Sequence, residues 1–139
     1  MWEPFSGGAR RAIVRAQEVA HLFGSRSIGT EHITFALAAG DDEVAGVLAN
    51  ALDRDAIRER LGSVSEEPRR EMDFTADAKR AIECAFVNAR RLDHKSIGVA
   101  HIALGLLDTG DPPPLAPGGD VTALRAALDG VAATGEQAR

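Results

Sequence analysis

The sequence of 139 residues contains no tyrosine, one tryptophan, one cysteine and five phenylalanines. A core built from it is therefore aliphatic, made of Ala, Leu, Ile and Val, with little of the aromatic packing common in domains of this size. The lone Cys84 cannot close an internal disulfide and falls within an apolar helical pattern, so a buried thiol is expected rather than a reactive one. No Cys/His/Asp cluster has zinc spacing, and Asp41-Asp42-Glu43 and Glu66-Glu67 lack the glycine and alternating oxygen ligands of a calcium loop. No metal or other cofactor is expected. Basic residues are outnumbered, 16 Lys and Arg against 21 Asp and Glu, which leaves a net charge of −5. That balance disfavours nucleic acid, whose binding relies on clustered cations neutralising phosphates. No apolar stretch approaches the ~18 residues needed to cross a bilayer, and Met1 to Arg11 holds no basic segment followed by an apolar run. The expected location is cytoplasmic, with no membrane partner. Ser25 and Ser96 are near a His in sequence but in no strained nucleophile turn, and a Gly-x-x-x-x-Gly-Lys-Ser/Thr phosphate loop is missing, so the chain is not expected to be an enzyme.

What the chain does have is a repeat. Apolar residues make up 45% and charged residues 27%, enough for a core without metal or disulfide staples. A shift of 69 residues lays Phe5 to Leu37 onto Phe74 to Leu106 without a gap, with thirteen identities. They include Phe5/Phe74, Ala12/Ala81, Ile13/Ile82, Ala16/Ala85, Gly29/Gly98, His32/His101 and Ile33/Ile102. Small and apolar residues at Ala9, Ala12, Ile13, Ala16 and Ala20 recur at three and four, which predicts one face of a helix ending near Gly24. Ser6 and Thr75 each follow a Phe and precede such a run, so each is an expected N-cap. A second helix opens at Gly29-Thr30-Glu31-His32-Ile33, with Thr30 the expected cap and Glu31 near the positive end of the dipole. Helices at about Asp42 to Ala51 and Asp53 to Leu61 complete the first copy.

The second copy departs after Leu107. Three consecutive prolines in Asp111-Pro112-Pro113-Pro114-Leu115-Ala116-Pro117 forbid a third helix there, and the last helix returns at about Asp120 to Leu128. The predicted fold is all-α: two pseudo-symmetric four-helix repeats packed as one domain, the second shortened. Repeat one covers about residues 1–62, a polar linker 63–73, repeat two 74–131 and a tail 132–139. His32 and His101, at equivalent places in the two copies, are expected to be repeated structural groups rather than metal ligands.

Phe5-Ser6 with Ala9-Arg10-Arg11, Ala16-Gln17-Glu18 and Ile28-Gly29-Thr30-Glu31-His32-Ile33, echoed by Phe74-Thr75, Ala78-Lys79-Arg80 and Ile97-Gly98-Val99-Ala100-His101-Ile102, resemble the amino-terminal repeat domain of the Clp unfoldases. The ClpC branch, including its actinobacterial members, is the most similar in these motifs. The resemblance spans Met1 to about Val131 and implies a non-catalytic recognition module of protein quality control. Such a module is expected to bind substrates or adaptors and to stand free as a decoy or adaptor; the alternative is an amino-terminal fragment of a ClpC-type ATP-dependent unfoldase. The expected partners are peptide or protein substrates, cyclomarin-like cyclic peptides and a Clp unfoldase.

The family domain further resembles a reader of phosphorylated arginine, with one site per repeat. A helix start holds the phosphate and the Glu of Gly-Thr-Glu-His holds the guanidinium. Ser6 and Glu31 match the first such site; Thr75 matches the helix-start half of the second, where Ala100 replaces the glutamate. Phosphoarginine binding is accordingly expected to be lopsided. The same resemblance implies a surface for cyclic peptide antibiotics at Trp2, Phe74, Lys79 and Glu83, with Trp2 standing where the family has Phe.

Overall fold

A computed structural model describes residues 4–62, 73–110 and 112–135 of the chain. Helix α1 (Gly7–Leu22) starts at Ser6, whose Oγ accepts from the Ala9 N–H at 3.1 Å. Helix α5 (Ala76–Arg91) starts at Thr75 in the same way, with Oγ1 accepting from the Ala78 N–H at 3.1 Å. Each hydroxyl satisfies one donor of the first turn, an arrangement worth about 1 kcal/mol. Both helices leave through a left-handed residue, Gly24 with φ 62° and its equivalent Asp93 with φ 59°. The turn is conserved between copies although only one uses a glycine, because a short polar side chain tolerates this region.

Each first helix packs on the second helix of its own copy, α1 on α2 (Thr30–Ala38) and α5 on α6 (Val99–Leu107). The contact is made by small residues: Ala9, Ala12, Ala16 and Ala20 are buried in one copy, and Ala78, Ala81, Ala85 and Ala89 in the other. Without bulky side chains between them the helices approach closely, and the aliphatic core expected from composition follows. Helix α6 occupies the centre, buried at every position from Ala100 to Leu107 and in contact with α1, α2, α3 (Glu43–Ala51), α5 and α7 (Val121–Gly135). Helices α3 and α4 (Arg54–Leu61) complete repeat one, capped by Asp42 and Asp53, whose carboxylates accept from the Ala45 and Ala56 N–H groups.

The two copies are joined reciprocally. Strand β1 (Ser27–Ile28) runs parallel to β2 (Asp73–Phe74), with Ile28 opposite Phe74, and Phe5 forms the equivalent parallel bridge with Ile97. The Thr75 N–H donates to the Ile28 carbonyl and the Ser6 N–H to the Ile97 carbonyl, both at 2.9 Å. The start of each first helix is thus tied to the other repeat, not to its own.

Repeat two differs as its prolines require. Between α6 and α7 the described residues form no helix; the segment instead crosses to repeat one as an extended strap. Pro114 accepts from the Asp53 N–H at 3.0 Å, the Ala116 N–H donates to Ala51 at 2.9 Å, and Leu115 bridges Leu52 in antiparallel sense. Proline supplies no N–H, so the strap bonds through a proline carbonyl and the one amide at Ala116. A polar clamp in this copy ties α5, α6 and α7. Asn88 donates to Asp108 at 2.9 Å, Arg125 pairs with Asp108, and Arg91 reaches both Asn88 and Asp129. Helix α7 runs to Gly135, so residues 132–135, expected to belong to a frayed tail, are helical, and Ala132 is buried. The linker expected at 63–73 lies outside the described residues except for Asp73 in β2. Among the described residues no helix is long and apolar enough to cross a membrane.

Candidate binding site

The second helix of each repeat starts on a glycine, which has no side chain to cap with. Thr30, expected as the cap, is instead the first helical residue, and the cap is Gly29. The capping comes from inside the helix: His32 Nδ1 accepts from the Gly29 N–H at 2.8 Å, and His101 Nδ1 accepts from the Gly98 N–H at 2.8 Å. The paired histidines are therefore structural, as their repetition implied. An accepting Nδ1 requires the neutral ring, and burial pushes the His32 pKa below 6.5, with the Glu31 carboxylate pulling weakly the other way. Glu31 Oε1 lies 3.8 Å from His32 Nδ1, but a neutral, accepting nitrogen offers that oxygen no proton. Among the described residues nothing donates to this carboxylate, and the side chain is 30% exposed and folded back over Gly29.

A lowered histidine pKa carries a sign. The unfolded chain binds a proton at His32 near pH 6.5 while the folded chain resists it, so this stability is complete above about pH 7 and is lost as pH falls through the folded pKa. The His32 ring resonances are expected to titrate with a midpoint below 6.5 by NMR, while the melting temperature falls with acidification. A midpoint at or above that of a free histidine contradicts this reading of the Gly29 cap.

The crosswise backbone bonds decide which groups meet. Ser6 faces repeat two, where it lines a cavity of about 130 Å³ with Gly98, Val99, Ala100, Arg11 and the Asp41-Asp42-Glu43 run at the start of α3. The sequence pairs Ser6 with Glu31 of its own repeat, whereas the parallel bridge that ties Phe5 to Ile97 sets Ser6 beside repeat two. The helix start beside the Gly29–Glu31 turn is that of α5, held by the bond from the Thr75 N–H to Ile28. One composite corner thus carries Thr75 and Glu31, and the other carries Ser6 and Ala100. They also differ in charge: the first turn of α5 contains Asp77, whereas that of α1 contains no acidic residue. The N–H groups of each first turn have no intrahelical acceptor, and the cap hydroxyl takes that of Ala9 or Ala78.

Of the second predicted surface, Trp2 lies outside the described residues. Phe74 is half-buried against the core, and Lys79 and Glu83 are exposed on α5. Cys84 on the same helix is half-buried rather than buried as expected, and partial burial, then Asp108 and Glu83, push its thiol pKa up and keep it protonated. Sequence reasoning missed His94, whose Nδ1 lies 2.9 Å from His101 Nε2. Because His101 Nδ1 accepts from Gly98, its Nε2 carries the proton and donates to His94. Repeat one offers no warning of this pair, having Ser25 at the position equivalent to His94. No group of three or more His, Cys, Asp or Glu that could hold a metal occurs among the described residues.

Comparison with known proteins matches residues 4–111 to the Clp repeat (R) N-terminal domain family. The chaperone protein ClpB of Oceanobacillus iheyensis is 30% identical over 116 residues, covering 80% of this chain and 14% of that protein. The negative regulator of genetic competence ClpC/MecB of Bacillus subtilis is 32% identical over 116 residues, again 80% of this chain and 14% of the relative. The chain thus spans about 14% of the length of these relatives. Among solved structures, the N-terminal domain of ClpD from Arabidopsis thaliana superposes with a TM-score of 0.64 at 24% identity over 92% of this chain and 94% of that one. The Hsp104 N-terminal domain from Candida albicans gives 0.69 at 16% identity over 97% and 94%.

Proposed function

Since this chain belongs to the Clp N-terminal repeat family, we propose that it is a non-catalytic recognition module of Clp-type protein quality control that engages substrate or adaptor proteins through its composite corners. One observation supports this most strongly: the Glu31 carboxylate, to which no described residue donates, stands at the turn against which the start of α5 is fixed. A guanidinium pairs with such a carboxylate in bidentate fashion, and the Thr75 hydroxyl with the free N–H groups of the first turn suits a phosphate. Phosphorylated arginine on a substrate carries both groups a short distance apart. The Ser6 corner keeps the helix start but has Ala100, 5% exposed, where the carboxylate would be, so recognition is lopsided.

Calorimetry with free phosphoarginine tests this. Binding near one site per chain is expected, weakened by roughly a hundredfold or more in Glu31→Ala, because a charge-assisted bidentate pair contributes about 3 kcal/mol. Undiminished binding in Glu31→Ala rejects the assignment. A cyclomarin-type cyclic peptide, titrated separately, is expected to bind through Trp2, Phe74, Lys79 and Glu83 and to lose affinity in Trp2→Ala/Phe74→Ala.

The short coverage of the relatives favours a second reading, in which the same corners serve as the amino-terminal receiving domain of a ClpC-type ATP-dependent unfoldase. A reading frame continuing beyond Arg139 into a phosphate-binding loop selects it.

A further inference from the structure

Repeat one carries a second recess, away from both corners. Helices α2, α3 and α4 surround a groove of about 270 Å³ with an apolar floor of Phe35, Ala49, Leu52 and Ile57. The volume is slightly below that of ordinary ligand pockets, which suits one or two apolar side chains rather than a cofactor. Its rim is formed by Arg54 and Arg58, one turn apart on α4 and both exposed. Among the described residues neither guanidinium has an ion-pair or hydrogen-bond partner, although α4 also bears Asp55 and Glu59. Two exposed arginines over an apolar floor are conspicuous on a chain whose net charge is −5. The third helix that forms one wall is the one repeat two replaces with its proline strap, so the groove occurs in the first copy, and the strap braces it by bridging Leu115 to Leu52.

We propose that this groove docks an amphipathic acidic segment of a partner protein, with one or two large apolar side chains on the Phe35–Ile57 floor and flanking carboxylates on Arg54 and Arg58. Charge complementarity selects the occupant: a basic segment meets two like charges at the rim, and an uncharged apolar one leaves both guanidinium groups unanswered. Burial of the apolar side chains supplies most of the affinity, and the arginines supply orientation and preference for acidic sequences. The site is independent of the phosphoarginine corners and stands or falls separately from them.

The test is an NMR titration of the full chain with the peptide acetyl-Asp-Glu-Leu-Phe-Asp-Glu-amide. Saturable shifts are expected at the amides of Ala38, Ala49 and Ile57, with none at Ser6 or Thr75. Replacing the peptide's acids by their amides, or its Leu-Phe by Ala-Ala, is expected to weaken binding about tenfold or more, as is Arg54→Glu/Arg58→Glu in the protein. Both arginines are exposed, so the double variant is expected to retain its fold by circular dichroism. Absence of saturation, shifts indifferent to the acids, or shifts at Glu66 and Glu67 when Arg54→Glu/Arg58→Glu is introduced without peptide each overturn the proposal; the last would mean that the chain's own linker fills the groove.

Discussion

Replacing Gly105 by alanine is expected to lower the melting temperature by roughly 10 °C, a loss of about 2–4 kcal/mol for a domain of this size. A Cβ built on Gly105 collides with the Ala81 carbonyl oxygen and lies 2.9 Å from the Ala85 amide nitrogen. These are backbone atoms of α5, which cannot step aside as a side chain can. Accommodation requires the α5–α6 pair to separate, and α6 is the helix against which most of the fold packs. Alanine's better helix propensity returns about 1 kcal/mol, too little to offset the collision. Repeat one supplies the comparison: its equivalent position holds Ala36, fully buried, with Arg15 donating to its carbonyl at 2.7 Å. A melting temperature within about 2 °C of wild type would mean that α5 and α6 are not so closely apposed.

The second large effect is a gain. Ala100→Glu is expected to raise phosphoarginine stoichiometry from one site per chain to two, by giving the Ser6 corner the carboxylate that Glu31 gives the Thr75 corner. Position 100 is the second residue of α6 as position 31 is of α2, and the Gly caps before them have nearly the same backbone, φ −100° in both. An acidic residue there is also favoured by the helix dipole. Asp41 and Glu43 border the same cavity and oppose the new charge until a guanidinium arrives, so the second site should be the weaker. Calorimetry that finds one site in both proteins contradicts the role given to the glutamate; two sites already in wild type would mean that the acids of α3 take its place.

How much of this the sequence disclosed depends on what a repeat can encode. Thirteen identities at a constant offset identify equivalent positions, so the caps at Ser6 and Thr75, the small-residue helix faces and the structural histidines were legible. Equivalence says nothing about which copies touch. Ser6 and Glu31 belong to one repeat, yet the bridges Phe5–Ile97 and Ile28–Phe74 set the start of each first helix beside the other repeat. Three prolines announced the missing helix, but not that the Pro114 carbonyl would bond to the α3–α4 junction, because partners distant in sequence leave no periodic trace. The Gly29 cap escaped because propensity favours Thr30, and only the fold shows His32 turning back. Cys84 follows the apolar period of α5 but sits beside the polar clamp, its carbonyl accepting from Asn88, and is only half-buried there.

The central claim is that recognition occurs at a corner shared between repeats. Mapping phosphoarginine onto the amide spectrum of the chain tests it most directly. The account predicts shifts at Thr75 to Ala78 together with Gly29 to Glu31, while Ser6 to Ala9 stay in place; joint movement of Ser6 and Glu31 with Thr75 silent would contradict it.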